Sequence, residues 1–205
     1  MTRRRLTPEE RRNELLDIGA ELFATRPYDE VLMEDVAERA GVSRALLYRY
    51  FPGKGELFAA IYRHAAEQLL DLSRVDPAVP LEEAVSAGLD AHIDYFAANR
   101  CTVLTANRTL CGDPVIQAII NDELSALRAR MLDACCLAGR QRDVASAALH
   151  AWLVFVRVMC LEWLETQNFD RGEVRSVCLR TLLAALAAAE DCHATSVADP
   201  LERKL

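Results

Sequence analysis

The stretch Met33-Glu34-Asp35-Val36-Ala37-Glu38-Arg39-Ala40-Gly41-Val42-Ser43-Arg44-Ala45-Leu46-Leu47-Tyr48-Arg49-Tyr50-Phe51 narrows the possible folds more than any other part of the chain. Two helical segments of about two turns each meet at Gly41, the residue type that adopts a positive φ without a Cβ penalty. Ala37 is small where the two helices must cross closely. Val36, Ala40, Val42 and Leu47 form the apolar seam between them. Ser43 is an N-cap residue type, so the second helix opens there with Arg44 in its first turn. A hairpin serving only as core filling has no use for the polar and aromatic set Arg44, Tyr48, Arg49 and Tyr50. The pattern instead suits a recognition helix, whose N-terminal residues reach base edges in the major groove of DNA.

The rest of the chain is punctuated as helix. Thr7-Pro8-Glu9-Glu10 reads as a capping box with proline in the first turn, and Arg26-Pro27 ends that first helix. Phe51-Pro52-Gly53 breaks the chain before a helix expected over 54–73. Two prolines within Asp76-Pro77-Ala78-Val79-Pro80 make the clearest linker, since proline cannot continue a helix. Further helices are expected over Leu81–Ala98, around Thr102–Leu110, from Asp113-Pro114 to near Gly139, from about Asp143 to Gln167, and from Asp170 to near Ala189. The fold class is therefore all-α with about nine helices. The tail after Cys192 is expected to be disordered.

Composition excludes several classes. No apolar run reaches the ~18–20 residues of a membrane span, so no membrane partner is expected. The basic start Met1-Thr2-Arg3-Arg4-Arg5-Leu6 runs directly into charged residues, not into a signal-peptide core, which points to the cytoplasm. The net charge of −7 looks unfavourable for nucleic acid until it is located along the chain. Residues 1–64 hold 11 basic and 11 acidic side chains, whereas the remainder holds 13 and 20. Local charge governs phosphate contact.

Enzyme chemistry finds no support. His64, His92, His150 and His193 are isolated, and no nucleophile elbow, zinc-protease helix, phosphate loop or dinucleotide fingerprint occurs. No cofactor or metal is expected. The seven cysteines lack paired spacing and suit small core side chains. A cysteine-based redox or metal-responsive regulator is the alternative, given the Cys135-Cys136 and Cys192-His193 neighbours. Adjacent residues on a helix point about 100° apart, which makes Cys135-Cys136 a poor chelate.

From Arg11 to Tyr62 the chain resembles the DNA-binding domain of TetR-family regulators. Their Leu-Tyr-x-His/Tyr-Phe run followed by a lysine is matched by Leu47-Tyr48-Arg49-Tyr50-Phe51 and Lys54, with Leu57 and Phe58 behind it. The resemblance implies a helix-turn-helix domain over 1–53 and an effector-binding and dimerising domain over 54–205, linked by the helix over 54–73. By position it implies that Arg44 and Ala45 face bases. Ser43, Tyr48, Arg49 and Tyr50 would mix base and phosphate contacts, and Lys54 would hold a phosphate. The Arg3-Arg4-Arg5 arm resembles those that reach DNA in some members, and serves equally as a solvated tail. The sequence departs from the family at Leu32, where a hydroxyl residue usually caps, and at Gly53 and Gly55, which predict a loose start to the fourth helix.

The eighth helix is apolar almost all round: Trp152, Phe155, Val156, Met159, Cys160 and Trp163 on one stripe, Leu153, Val154 and Leu161 on another. Such a helix is buried on every side. The ninth repeats the pattern, and the resemblance implies that both pair with their copies in a homodimer. It also implies an effector pocket, with His92, Tyr95, Phe96, Asn107, Trp152, Phe155 and Met159 as its expected lining, although each suits ordinary core packing. Arg157 interrupts the apolar run and needs a carboxylate or an anionic ligand. The expected function is thus transcriptional regulation, as a repressor released from a palindromic or near-palindromic operator by a small-molecule effector.

Overall fold

The computed structural model describes residues 6–72, 79–135 and 137–191. Among them run nine α-helices: α1 (Pro8–Thr25), α2 (Met33–Ala40), α3 (Arg44–Tyr50), α4 (Lys54–Leu72), α5 (Leu81–Ala98), α6 (Arg100–Leu104), α7 (Pro114–Ala134), α8 (Gly139–Thr166) and α9 (Arg171–Asp191). The all-α expectation holds. The Arg3-Arg4-Arg5 arm, most of the linker, Cys136 and the Cys192-His193 pair lie outside the described residues.

Local chemistry explains the boundaries. The Thr7 hydroxyl accepts from the Glu10 N–H at 3.1 Å while the Glu10 carboxylate accepts from the Thr7 N–H at 2.7 Å, the reciprocal capping box. Asp113 Oδ1 accepts from the N–H groups of Val115 and Ile116 at the start of α7. Two boundaries differ from expectation. α7 ends at Ala134, and α8 begins at Gly139 itself, whose φ of +55° makes it the turning residue between the two helices. Cys135 therefore lies in a turn, and the helical 100° argument does not describe it. The sixth segment is split: α6 runs into a π-helical turn over Thr105–Thr109, where the Leu110 N–H bonds the Thr105 carbonyl at 2.9 Å.

The chain forms two compact units. The first comprises the chain up to Gln68 together with Tyr95–Asn121, the second Leu69–Asp94 with the chain from Asp122 onward. The first unit is built around Phe58 of α4, whose ring meets Phe23 (5.1 Å between centroids), Tyr28 (5.4 Å) and Tyr62 (6.2 Å). Offset and edge-on rings of this kind add to simple area burial. A Cβ at Gly19 would stand 2.8 Å from Ile61 Cδ1, so glycine lets α1 and α4 approach closely.

In the second unit α8 packs along α9. Contrary to the expectation drawn from apolar runs, α8 is long and apolar enough to cross a membrane by length and composition. Ser146, His150 and Arg157 interrupt the stretch, and a count of unbroken apolar residues weighs such breaks more heavily than an average does. α8 nevertheless behaves as a core helix along one face, with Ala145, Leu149, Trp152, Val156, Cys160 and Leu164 buried. On the opposite face Val154 and Val158 are exposed in the single chain.

Candidate nucleic-acid interface and effector cavity

Gly41 adopts φ 61° and ψ 38°, and its N–H together with that of Val42 closes the end of α2. That left-handed turn swings the chain into α3, which Ser43 caps by accepting from the Leu46 N–H at 3.2 Å. Val36, Ala37, Ala40 and Leu47 are buried in the seam, while Val42 is half-buried. With Leu47 turned inward, Ser43, Arg44, Ala45, Tyr48 and Arg49 are exposed together, and Tyr50 is half-buried. Arg49 lies over the Tyr50 ring at 5.6 Å, a contact that holds its guanidinium near the helix end.

Two of these cations have intramolecular partners that the sequence did not disclose. Arg44 Nη1 stands 3.2 Å from Glu34 Oε1 of α2, with the arginine side chain 69% exposed. An exposed pair of that kind is worth about 0–1 kcal/mol, so an external anion can displace Glu34 from Arg44 at little cost. Lys54 donates to the Tyr28 carbonyl at 2.9 Å and sits 4.4 Å from the centroid of the Tyr28 ring. Burial raises the Tyr28 phenol, and the neighbouring Asp113, Asp29 and Glu56 raise it further. Leu32, at the N-cap of α2, makes no side-chain cap and is exposed.

The second unit contains a half-open cavity of about 70 Å³. Val85, Gly88, Leu89 and His92 of α5, Leu124, Leu127, Arg130 and Met131 of α7, and Trp152, Leu153, Val156 and Arg157 of α8 form its wall. The wall is mostly apolar, and Trp152 turns its indole N–H away to the Cys178 carbonyl at 2.7 Å. Arg157 has found its carboxylate: Nη2 is 2.7 Å from Glu123 Oε2, with the two side chains only 7% and 3% exposed. Burial drives His92 down to about 3 from its ordinary 6.5, and the Arg157 charge adds to the effect, so the imidazole is neutral.

Of the seven residues expected to line an effector pocket, His92 and Trp152 reach this cavity. Tyr95, Phe96 and Asn107 belong to the first unit, and Phe96 is fully buried in packing. Asn107 spends its amide on its own helix, donating to the Val103 carbonyl at 2.8 Å. Phe155 and Met159 are half-buried on α8 and do not line the cavity. The missed wall is that of α7, whose Leu124, Leu127 and Met131 fall at helical spacing but share that pattern with any core stripe.

Residues 15–61 match the family model described as bacterial regulatory proteins, tetR family. The HTH-type transcriptional activator FasR of Mycolicibacterium smegmatis is 32% identical over 148 residues, covering 62% of this chain and 68% of the relative. The chain belongs to the TetR family. A second relative, the HTH-type transcriptional repressor KstR2 of Rhodococcus jostii, is 32% identical over 117 residues, 57% of this chain and 52% of its own length. The fold matches a tetR-family transcriptional regulator from Streptomyces coelicolor with a TM-score of 0.81 at 23% identity, over 92% of this chain and 85% of that one.

The protein is accordingly a DNA-binding transcriptional regulator and not an enzyme. TetR-family regulators bind operator DNA, act as dimers and bind small-molecule effectors. The cysteine alternative gains nothing from the structure. Burial pushes the Cys160 thiol up to about 12 and the Cys178 thiol up to about 11, far from the thiolate that redox chemistry and metal binding require. Among the described residues no group of three or more His, Cys, Asp or Glu side chains is placed to hold a metal ion.

Proposed function

We propose that this TetR-family regulator is a cytoplasmic repressor whose homodimer holds a palindromic or near-palindromic operator and is released by an effector bound in the α5–α7–α8 cavity. The observation that carries the DNA side is α3, which buries Leu47 completely and exposes Ser43, Arg44, Ala45, Tyr48 and Arg49 on one short helix. Arg44 and Ala45 read bases. Ser43, Tyr48, Arg49 and Tyr50 mix base and phosphate contacts, and Lys54 exchanges the Tyr28 carbonyl for a phosphate. The functional division falls after residue 53, with 1–53 meeting DNA and 54–205 sensing and dimerising.

Dimerisation is assigned to α8 and α9. Val154 and Val158 of α8, with Val177 and Leu183 of α9, are large apolar side chains left exposed on the two helices that pack together. A symmetric dimer meets a two-fold operator with its recognition helices about one turn, roughly 34–36 Å, apart. Since α4 carries Lys54 at its first residue and contributes its last turn to the second unit, it is the route by which an effector shifts the recognition helices. A coupling of about 1–3 kcal/mol weakens operator binding some 5–150-fold, and reciprocity requires DNA to weaken effector binding equally. The test is a substitution that fills the cavity. A Cβ at Gly88 meets nothing within 4 Å, so Gly88→Phe enters open space. It should alter effector response while leaving the dimer intact by sedimentation; unchanged effector binding would move the effector site elsewhere.

A further inference from the structure

Three side chains capable of carrying positive charge reach the cavity wall: His92, Arg130 and Arg157. Two of them present no net charge to a ligand. Arg157 is compensated by Glu123 at 2.7 Å, and His92 is neutral. Arg130 differs. Its guanidinium donates to the Leu70 carbonyl, and among the described residues no carboxylate pairs with it. A backbone carbonyl satisfies one of five N–H donors and cancels none of the charge.

Leu70 lies in the last turn of α4, which ends at Leu72. Arg130 therefore performs two tasks at once: it ties this turn of α4 to the cavity wall, and it brings to that mostly apolar wall a positive charge that no carboxylate among the described residues offsets. Val85, Leu124, Leu127, Met131 and Leu153 furnish the remaining surface. A chamber of about 70 Å³ has room for roughly two waters at about 30 Å³ per water, the bulk of two or three methylenes. Because it is half open, a longer tail can project from it.

Taking the cavity as the effector site, we propose that it binds an apolar monocarboxylate, and that Arg130 reads the carboxylate by giving up the Leu70 carbonyl, so that ligand binding releases the last turn of α4 from the cavity wall. The exchange is favourable because a hydrogen bond between two charged groups is about twice as strong as one to a neutral acceptor. It is also directional, since the group that recognises the ligand is the group that α4 loses.

The experiment is calorimetric titration of the full-length protein with octanoate, octan-1-ol and octylamine, with hydrogen exchange followed over the last turn of α4. Octanoate should bind at least tenfold more tightly than octan-1-ol, and octylamine most weakly. Arg130→Gln should bring octanoate to within about twofold of octan-1-ol without changing the alcohol, whereas Arg130→Lys should keep part of the preference. Octanoate should speed exchange in the last turn of α4, and Arg130→Gln should do so without ligand; a circular-dichroism melt checks that both variants fold. Equal binding of octanoate and octan-1-ol, both abolished by Gly88→Phe, overturns the role of Arg130 while leaving the effector cavity standing. Failure of all three probes to bind removes the effector cavity and the proposal together. An octanoate preference that survives Arg130→Gln, or exchange in α4 that octanoate leaves unchanged, also overturns it.

Discussion

Replacing Glu123 with glutamine keeps the side-chain shape and removes the negative charge, leaving the Arg157 guanidinium 7% exposed and 2.7 Å from a neutral amide. Of the neighbouring cavity residues, Leu124, Leu153 and Val156 are apolar and His92 is held neutral by burial and by the Arg157 charge, so none of them supplies a negative charge. Breaking one side of a buried pair typically costs about 3–5 kcal/mol, against a total stability of roughly 5–15 kcal/mol. For a chain of this size each kcal/mol moves the melting midpoint by about 2–4 °C, so a drop of roughly 6–20 °C is expected. The double change Glu123→Leu with Arg157→Met removes both charges and should return stability to within about 1 kcal/mol of the parent, or above it. Urea unfolding followed by far-ultraviolet circular dichroism measures both, at one fixed protein concentration because dimerisation contributes to apparent stability. A loss below about 1 kcal/mol for Glu123→Gln, the value of an exposed pair, would refute the reasoning.

Four further outcomes are expected. Glu34→Gln frees Arg44 from its 3.2 Å partner and should raise operator affinity by a few-fold in fluorescence anisotropy; an unchanged or lower affinity would show that Glu34 orients Arg44 for DNA instead. Lys54→Ala should weaken all DNA sequences alike and lower the salt slope by about one, and a sequence-dependent loss would make Lys54 part of base readout. His92 has a folded value of about 3 against an ordinary 6.5, so the unfolded chain takes up the proton first and stability falls as pH drops from 6.5 toward 3. The slope is at most about 1.4 kcal/mol per pH unit, and His92→Gln should lack this component when the two proteins are unfolded in urea at pH 7, 6 and 5. Val158→Glu places a charge on the exposed apolar face of α8 and should yield monomers in sedimentation velocity; a persisting dimer would exclude that face.

What the sequence made legible follows from how local each signal is. The capping box at Thr7, the turn at Gly41 and the cap at Ser43 are decided by residues within a few positions, and the structure places each where the pattern does. Arg157 announced its need for a carboxylate, but only three-dimensional packing could name Glu123, 34 residues away. The cavity wall was poorly legible for the same reason. His92 and Trp152 stood out as polar or large, whereas Leu124, Leu127 and Met131 carry the same helical periodicity as any core helix. Tyr95, Phe96 and Asn107 looked equally suitable because sequence does not reveal that residues 95–121 pack with the first unit. Gly139 was read as an ending when its positive φ makes it a beginning.

The central claim is that α3 reads DNA sequence, and selection from a random duplex library tests it most directly. The purified protein should enrich a two-fold motif whose half-site centres lie about 10–10.5 base pairs apart, or a multiple of that spacing. Arg44→Ala, folded and dimeric, should lose discrimination at a defined base pair in each half-site, at about 1–3 kcal/mol per contact, while retaining binding that depends on salt. Enrichment of no motif by the parent protein, or of an identical motif with identical discrimination by Arg44→Ala, would contradict the account.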